Sequence, residues 1–237
     1  MSELPLVVVL CGGRGTRLGA LTAELPKPLM PVLGQPFLER QVALLERQGF
    51  ERFLFLTGYR GEQIEDYFLR QESRRQRVRF SHEETPLGTA GALVQARSFL
   101  PDVFLLLNGD SYLAIDYRRL HERLLEADAV GVAAAYRNPT PSDAIESNNL
   151  ALRDGAVTLY RKRGADPRLT HMDAGAGVYR RSLLDFVLPD DRPPISLEET
   201  VWPRIIARHG LLAHVVGEPP FDIGTPARLA AFVEHLA

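Results

Sequence analysis

The stretch "VVVLCGGRGTRLGALTAELPKPLMPVLGQPF", Val7–Phe37, decides the fold. An apolar run breaks at a glycine cluster carrying Arg14 and Arg17, and Lys27 then stands between two prolines. Leu6–Leu10 is apolar without alternation, the pattern of a strand buried on both faces. Glycines directly after such a strand let backbone N–H groups approach a phosphate chain closely. Two familiar loops of this kind are excluded. A dinucleotide fingerprint could begin at Gly13 and use Gly15, but its third glycine position holds Leu18, and close helix–strand packing needs that glycine. The second strand ends Leu56-Thr57-Gly58, with no acidic residue for a ribose. A P-loop needs a lysine directly after its last glycine, and none follows here. What remains is a glycine loop of another kind, with Arg17 able to reach the same phosphates by charge-assisted hydrogen bonds. Proline extends the residue before it, so "LPKPL" presents Lys27 on a stiff arm. The bland alternative is a surface turn with a solvated lysine.

Outward from this stretch, the 237 residues are 45% hydrophobic and 24% charged, the balance of an ordinary globular chain. The formal net charge of −2 gives no global basic field for nucleic acid or an anionic membrane. No apolar run approaches the roughly 20 residues that span a bilayer, and no signal peptide is evident. One cysteine, Cys11, excludes an internal disulfide and a cysteine-rich metal site, and reads as a small packing residue. Together these features lead us to expect a cytoplasmic protein. Of 28 basic residues only Lys27 and Lys162 are lysine. Arginine cannot mimic a compact ammonium at a tight phosphate contact, so both positions are candidates, unless codon bias alone left them.

Strand and helix alternate through the first half. Strands are expected at Leu6–Leu10, Arg52–Thr57, Val78–Ser81, Val103–Leu107 and Val130–Tyr136. Helices are expected at Phe37–Arg47, Gly61–Arg70, Thr89–Phe99 and Leu120–Glu126. This order implies an α/β, Rossmann-like three-layer fold with a mostly parallel central sheet and helices on both faces. Ligands of such sheets bind beyond the carboxyl ends of the strands, where the glycine loop and "NGD" (Asn108–Asp110) both fall. From about Asn138 short strands dominate (Ala151–Leu152, Val157–Arg161, Gly177–Tyr179). Helices Leu183–Val187 and Glu198–His209, strand Leu212–Val216 and a last helix Pro226–Leu236 follow. The arginines from Arg70 to Arg79 read as a solvated helix end. We expect one domain over 1–237, with a core at 1–137 and an extension of the same sheet at 138–237.

The stretch Gly12–Gly34 resembles the signature of the sugar-1-phosphate nucleotidylyltransferases, G-G-x-G-T-R-L…P-K-P-L…P-V. "PLGTAGAL" (Pro86–Leu93), "LLLNGDSYL" (Leu105–Leu113), "YRKR" (Tyr160–Arg163), "MDAGAGVYRR" (Met172–Arg181) and "FDIGTPARLAAF" (Phe221–Phe232) resemble later segments of that family in order. The likeness runs from about Val7 to Phe232. It implies a reaction joining a nucleoside triphosphate to a sugar 1-phosphate with release of pyrophosphate, and makes 138–237 a small β-rich sugar-binding extension. Short members acting as heptose or mannose 1-phosphate guanylyltransferases are the most similar. N-acetylmuramate 1-phosphate uridylyltransferases and thymidylyl- or cytidylyl-transferring members stay open. So do a catalytically silent, nucleotide-binding regulatory relative and a transferase acting on a non-sugar phosphate.

The resemblance also implies roles. Arg17 and Lys27 would be catalytic, neutralising the reacting phosphates. Leu10, Gly12, Gly13, Gly15, Thr16, Pro86, Gly88, Thr89 and Asn108 would bind the nucleotide. Asn149, Lys162, Asp173 and Gly175 would bind the sugar phosphate, with Asn148 a further candidate and Arg163 replacing Lys162 if the alignment shifts by one. Asp110 and Asp222 would hold Mg²⁺, whose preference for carboxylate and phosphate oxygen suits such a site. The implied partners are the two substrates, with no nucleic acid and no membrane; a homodimer is left open.

Overall fold

A computed structural model describes residues 3–22, 24–139, 147–162 and 166–236. Nine strands form the central sheet: β1 Leu6–Cys11, β2 Phe53–Thr57, β3 Val78–His82, β4 Val103–Asn108, β5 Gly131–Tyr136, β6 Leu150–Arg153, β7 Ala156–Tyr160, β8 Met172–Arg180 and β9 Leu211–Val216. Their order is β3-β2-β1-β4-β8-β5-β9-β7-β6. The first four strands are mutually parallel. β8 is antiparallel to both β4 and β5, β9 is parallel to β5, and β7 is antiparallel to β9 and β6. Seven of the nine strands therefore run in one direction, and only β7 and β8 oppose it.

Alternation along each strand splits the core into two layers. Val7, Val9, Phe53, Phe55, Leu105 and Leu107 face one side. There they meet α1 (Phe37–Glu46), α2 (Gly61–Leu69) and α4 (Arg118–Leu125). Val8, Leu54, Leu56, Phe104 and Leu106 face the other, against α3 (Gly88–Gln95) and the segment around Trp202. This is the expected three-layer arrangement. A third, smaller cluster joins Leu18, Met30, Val32, Phe37, Tyr112 and Ile223 to Phe232 of α6, where α5 is Trp202–Ile206 and α6 is Pro226–Leu236.

Four local expectations are corrected. β8 is nine residues long rather than a short Gly177–Tyr179 strand. Its "DAGAG" looks like a loop because small residues have low strand propensity, yet Gly131 and Gly177 are where the Tyr179 ring lies: a Cβ on Gly131 would sit 2.3 Å from Tyr179 Cδ1. The expected helix Glu198–His209 is a wide π-type turn, Leu197–Val201, followed by α5. Pro203 lacks the N–H for the regular bond and would crowd the carbonyl four residues back. Leu183–Val187 is a 3₁₀ turn over Arg181–Phe186. Arg74 is not solvated: it is buried and bonds Glu39 at 2.6 Å and Glu46 at 2.6 Å, tying the segment after α2 to α1.

Candidate active site

The carboxyl ends of the parallel strands open into a cleft of about 980 Å³. The third apolar cluster explains how distant segments meet there. Leu18 adjoins Arg17, Met30 follows Lys27 by one turn, Tyr112 follows Asp110, and Ile223 adjoins Asp222. Burying these four anchors together aims four polar neighbours at one place. A two-residue antiparallel pairing, Ser111–Tyr112 with Phe221–Asp222, puts Asp222 opposite Ser111 and fixes the register between the two aspartate segments.

At the centre, the Lys27 ammonium is ion-paired to Asp110 Oδ2 and Ser111 Oγ donates to Asp110 Oδ1 at 3.3 Å. Lys27 is 6% exposed, so it is no solvated surface lysine. Nor is it extended: it opens a 3₁₀ turn, Lys27–Leu29, closed by Leu29 N–H to Pro26 O at 2.9 Å and Met30 N–H to Lys27 O at 3.1 Å. Pro28 falls in the first turn, where a helical segment has no use for its missing N–H. Asp222 accepts from Gly224 N–H at 2.7 Å and from Arg228 at 2.8 Å. The Arg17 guanidinium lies over Gly224, where a Cβ would meet its nitrogen at 3.2 Å.

Both aspartates thus present hard carboxylate oxygens to one cleft, and both face cationic groups. That donor set fits a divalent ion that completes its shell with phosphate oxygens and water. Beneath them Cys11 is buried, and burial together with the Asp110 charge pushes its thiol well above the usual range. It is therefore a packing residue and no nucleophile.

Toward the β3 edge, the wall is made by Leu10, Gly12, Gly13, Pro86, Gly88 and Thr89. A Cβ on Gly13 would meet nothing, so its backbone is open to a ligand, whereas Gly12 packs on Glu83, whose Oε1 would lie 2.6 Å from an added Cβ. Glu83 accepts from Leu87 N–H at 3.0 Å, and burial raises its carboxyl above the usual carboxylate range. Thr89 is already engaged: its hydroxyl donates to Glu198 at 3.1 Å and accepts from Leu197 N–H at 2.7 Å.

Toward β8, Asn108, Asn149, Asp173, Gly175 and Lys162 line the cleft. Gly175, at φ 74°, sits in a β8 irregularity, and its missing side chain admits Ser111 and Asn108 of the neighbouring loop. Asn149 Oδ1 accepts from Asp173 N–H at 2.7 Å, and Asp173 Oδ1 accepts from Gly175 N–H at 3.0 Å. Lys162 is exposed and paired with Glu199 at 2.7 Å.

Two expected residues are not brought to the wall. Gly15 stands behind it, where a Cβ would press Lys27 Cβ at 3.2 Å, so its role is to make room for the lysine stem. Asn148 donates to Asn138 O at 3.1 Å instead. The Thr16 side chain and Arg163 lie outside the described residues. The sequence reading left Glu198 and Arg228 out of the site and took Glu83 only as the start of the Glu83–Gly88 stretch around which, with Gly12, base choice is set. Arg228 carried no signal, being one arginine on an amphipathic helix. Glu198 looked like an acidic first-turn residue.

The D-glycero-α-D-manno-heptose 1-phosphate guanylyltransferase of Aneurinibacillus thermoaerophilus is 37% identical over 92% of this chain and 93% of its own length. The protein of the same description from Campylobacter jejuni is 36% identical over 48% of this chain and 51% of its own length. The chain spans about half the length of several curated relatives that it matches. The crystal structure of HddC from Yersinia pseudotuberculosis superposes with a TM-score of 0.82 at 26% identity, over 99% of this chain and 100% of that one, and HddC has also been solved with GMP-PN. No helix among the described residues is long and apolar enough to cross a membrane. Residues 6–145, which hold the glycine loop, Lys27 and Asp110, match the family described as nucleotidyl transferase, and the chain belongs to that family.

Proposed function

We propose that this chain is a sugar-1-phosphate guanylyltransferase. It would join GTP to a manno-configured sugar 1-phosphate, a heptose or mannose derivative, giving a GDP-sugar and pyrophosphate. The observation that carries the reading is the order of groups across the strand ends. Glu83 follows β3, the basic and acidic groups Arg17, Lys27, Asp110 and Asp222 gather beyond β1 and β4, and Asp173, Asn149 and Lys162 lie beyond. Base, phosphates and sugar of a nucleotide sugar follow one another in the same order. The relatives named for guanylyl transfer to heptose 1-phosphate support the choice of base and sugar.

In this reading an oxygen of the sugar phosphate attacks the α-phosphorus of GTP in line. The bond to the β-phosphate breaks, and pyrophosphate leaves with its electron pair. Two anions must meet, so the main task is charge neutralisation and alignment. Lys27 and Arg17 supply fixed positive charge, and Lys27 exchanges Asp110 for phosphate as substrate enters. The open Gly13 backbone approaches the phosphates. Lys162 turns from the exposed Glu199 to the sugar phosphate, while Asp173 and Asn149 face its hydroxyls. Mg²⁺, held by Asp110 and Asp222, would add Lewis-acid neutralisation of phosphate charge.

A carboxylate only accepts hydrogen bonds, which suits the adjacent N1–H and N2–H donors of guanine and repels the carbonyl-flanked edge of uracil or thymine. Glu83→Gln keeps the shape but replaces one acceptor by a donor. It is expected to raise KM for GTP by roughly 10–100-fold, the range for a lost hydrogen bond to a charged group. The same variant has a stability signature. A raised carboxyl pKa means that the folded chain holds its proton more firmly than the unfolded one. That contribution is present below pH 4.5, the ordinary value, and is lost as pH rises through the folded value. Glu83→Gln removes this loss, so melting at pH 7 should be equal or higher. An unchanged KM for GTP would remove Glu83 from base recognition.

A further inference from the structure

Gln41 is a polar residue on the buried face of α1, 1% exposed among Phe37, Leu38, Val42 and Leu45. Its Nε2 donates to Asn108 O at 2.9 Å and to Ser111 O at 2.8 Å, the carbonyls on either side of Asp110. Its Oε1 is buried with no hydrogen-bond partner. The orientation follows from electrostatics, because the oxygen turned toward two carbonyls would be repelled. An unpaired buried acceptor keeps its full desolvation penalty and calls for a reason. Gln48, just beyond α1, shows the ordinary use of such a side chain: it accepts from Tyr117 N–H at 2.9 Å and donates to Ile115 O at 2.7 Å. Gln41 instead spends its nitrogen twice on one loop and leaves its oxygen alone. The rest of that loop is tied elsewhere, with Gly109 N–H on Leu10 O at 2.9 Å and Asp110 O receiving Ile223 N–H at 3.1 Å. Four successive residues, 108–111, are thereby held by α1, β1 and the segment before α6.

We propose that Gln41 is the positioning residue for Asp110. Its amide clamps the backbone on both sides of the aspartate and so aims the carboxylate at the metal and phosphates. This rests on the reading of Asp110 as a metal ligand. The side chain does not reach the cleft, and it acts only through the loop.

The test compares wild type, Gln41→Leu, Gln41→Glu and Asp110→Asn in the full chain. Gln41→Leu removes the unpaired oxygen but also takes the donor from Asn108 O and Ser111 O, so melting should fall by no more than about 8 °C. Its kcat, and its affinity for Mn²⁺ followed by electron paramagnetic resonance, should each fall about 10–100-fold, as when a metal ligand loses its support, with KM for GTP little changed. In Gln41→Glu only the protonated carboxyl can donate, so kcat relative to wild type should recover between about pH 8 and pH 6. A purely structural glutamine would give no such recovery. Wild-type kcat and Mn²⁺ affinity in Gln41→Leu would overturn the proposal, as would a kcat loss matched by a collapse in melting without recovery in Gln41→Glu. If Asp110→Asn itself keeps turnover and Mn²⁺ binding, the metal reading fails and the positioning role falls with it. If Asp110→Asn loses both while Gln41→Leu loses neither, the positioning role alone fails.

Discussion

Asp110→Asn is expected to lower kcat by about 10³-fold or more, at the upper end of what one fixed electrostatic group contributes in an active site. The asparagine keeps the shape, and its one oxygen can still accept from Lys27 while its amide nitrogen donates to the Ser111 hydroxyl. It cannot supply the negative charge that draws a divalent ion to the triphosphate. The structural effect should be far smaller. Removing the counter-ion of a fully buried lysine would cost about 3–5 kcal/mol, but the Asp110 side chain is 37% exposed, so solvent already screens the pair. A loss of about 1–2 kcal/mol, or roughly 2–8 °C in melting, is the expectation. Steady-state pyrophosphate release and a melting curve on one preparation check both. Turnover within tenfold of wild type would remove Asp110 from the metal site.

Gly88→Ala should be the most damaging of the small substitutions. Gly88 has φ 78°, and a Cβ there would lie 2.5 Å from Ile195 O and 2.6 Å from Ile195 N. The left-handed backbone costs an alanine about 1–2 kcal/mol. The contact is with backbone, so no rotamer change relieves it, and overpacking adds about 1–3 kcal/mol. Three hydrogen bonds run through this contact: Ile195 N–H to Leu87 O at 2.7 Å, Ala90 N–H to Ile195 O at 2.9 Å and Gly91 N–H to Ile195 O at 3.4 Å. The sum, about 2–5 kcal/mol, lowers melting by roughly 4–20 °C. Because the same loop lines the β3 side of the cleft, KM for nucleoside triphosphate should rise in whatever protein still folds. Melting within 2 °C of wild type, against the roughly 4 °C minimum expected, would mean that the loop and Ile195 can separate freely.

The parts of this fold that the sequence made legible are those in which chemistry is local. Unbroken apolar runs at Leu6–Leu10 and Val103–Leu107 marked strands buried on both faces, and Gly12, Gly13 and Asp110 followed them directly. The glycine loop's departures from two familiar patterns, at Leu18 and at the missing P-loop lysine, were equally local. What escaped depends on distant pairing. β8 enters between β4 and β5 from far along the chain, and its glycines make sense only against their neighbours, Gly177 against Tyr179 and Gly175 against Ser111 and Asn108. Lys27 looked extended because each proline was weighed by itself, while the third apolar cluster pulls the segment into a buried turn. Arg74 looked like surface charge until Glu39 and Glu46 came beside it, and Arg228 carried no signal until Asp222 did. Gln41 was partly legible. A lone glutamine at the helical spacing of Phe37, Leu38, Val42 and Leu45 is a polar group on a buried face, and such a group needs a partner.

The central claim is the pairing of guanine nucleotide with sugar 1-phosphate. It is tested most directly by pyrophosphate release in Mg²⁺ from GTP, UTP, dTTP and CTP, each with D-glycero-α-D-manno-heptose 1-phosphate and with mannose 1-phosphate. GTP with one of these two sugars should turn over at least about 100-fold faster than the other nucleotides, the discrimination expected when wrong hydrogen-bond partners meet a half-buried carboxylate, and the product should have the mass of a GDP-sugar. Preference for UTP, dTTP or CTP, or silence with all four, would contradict it.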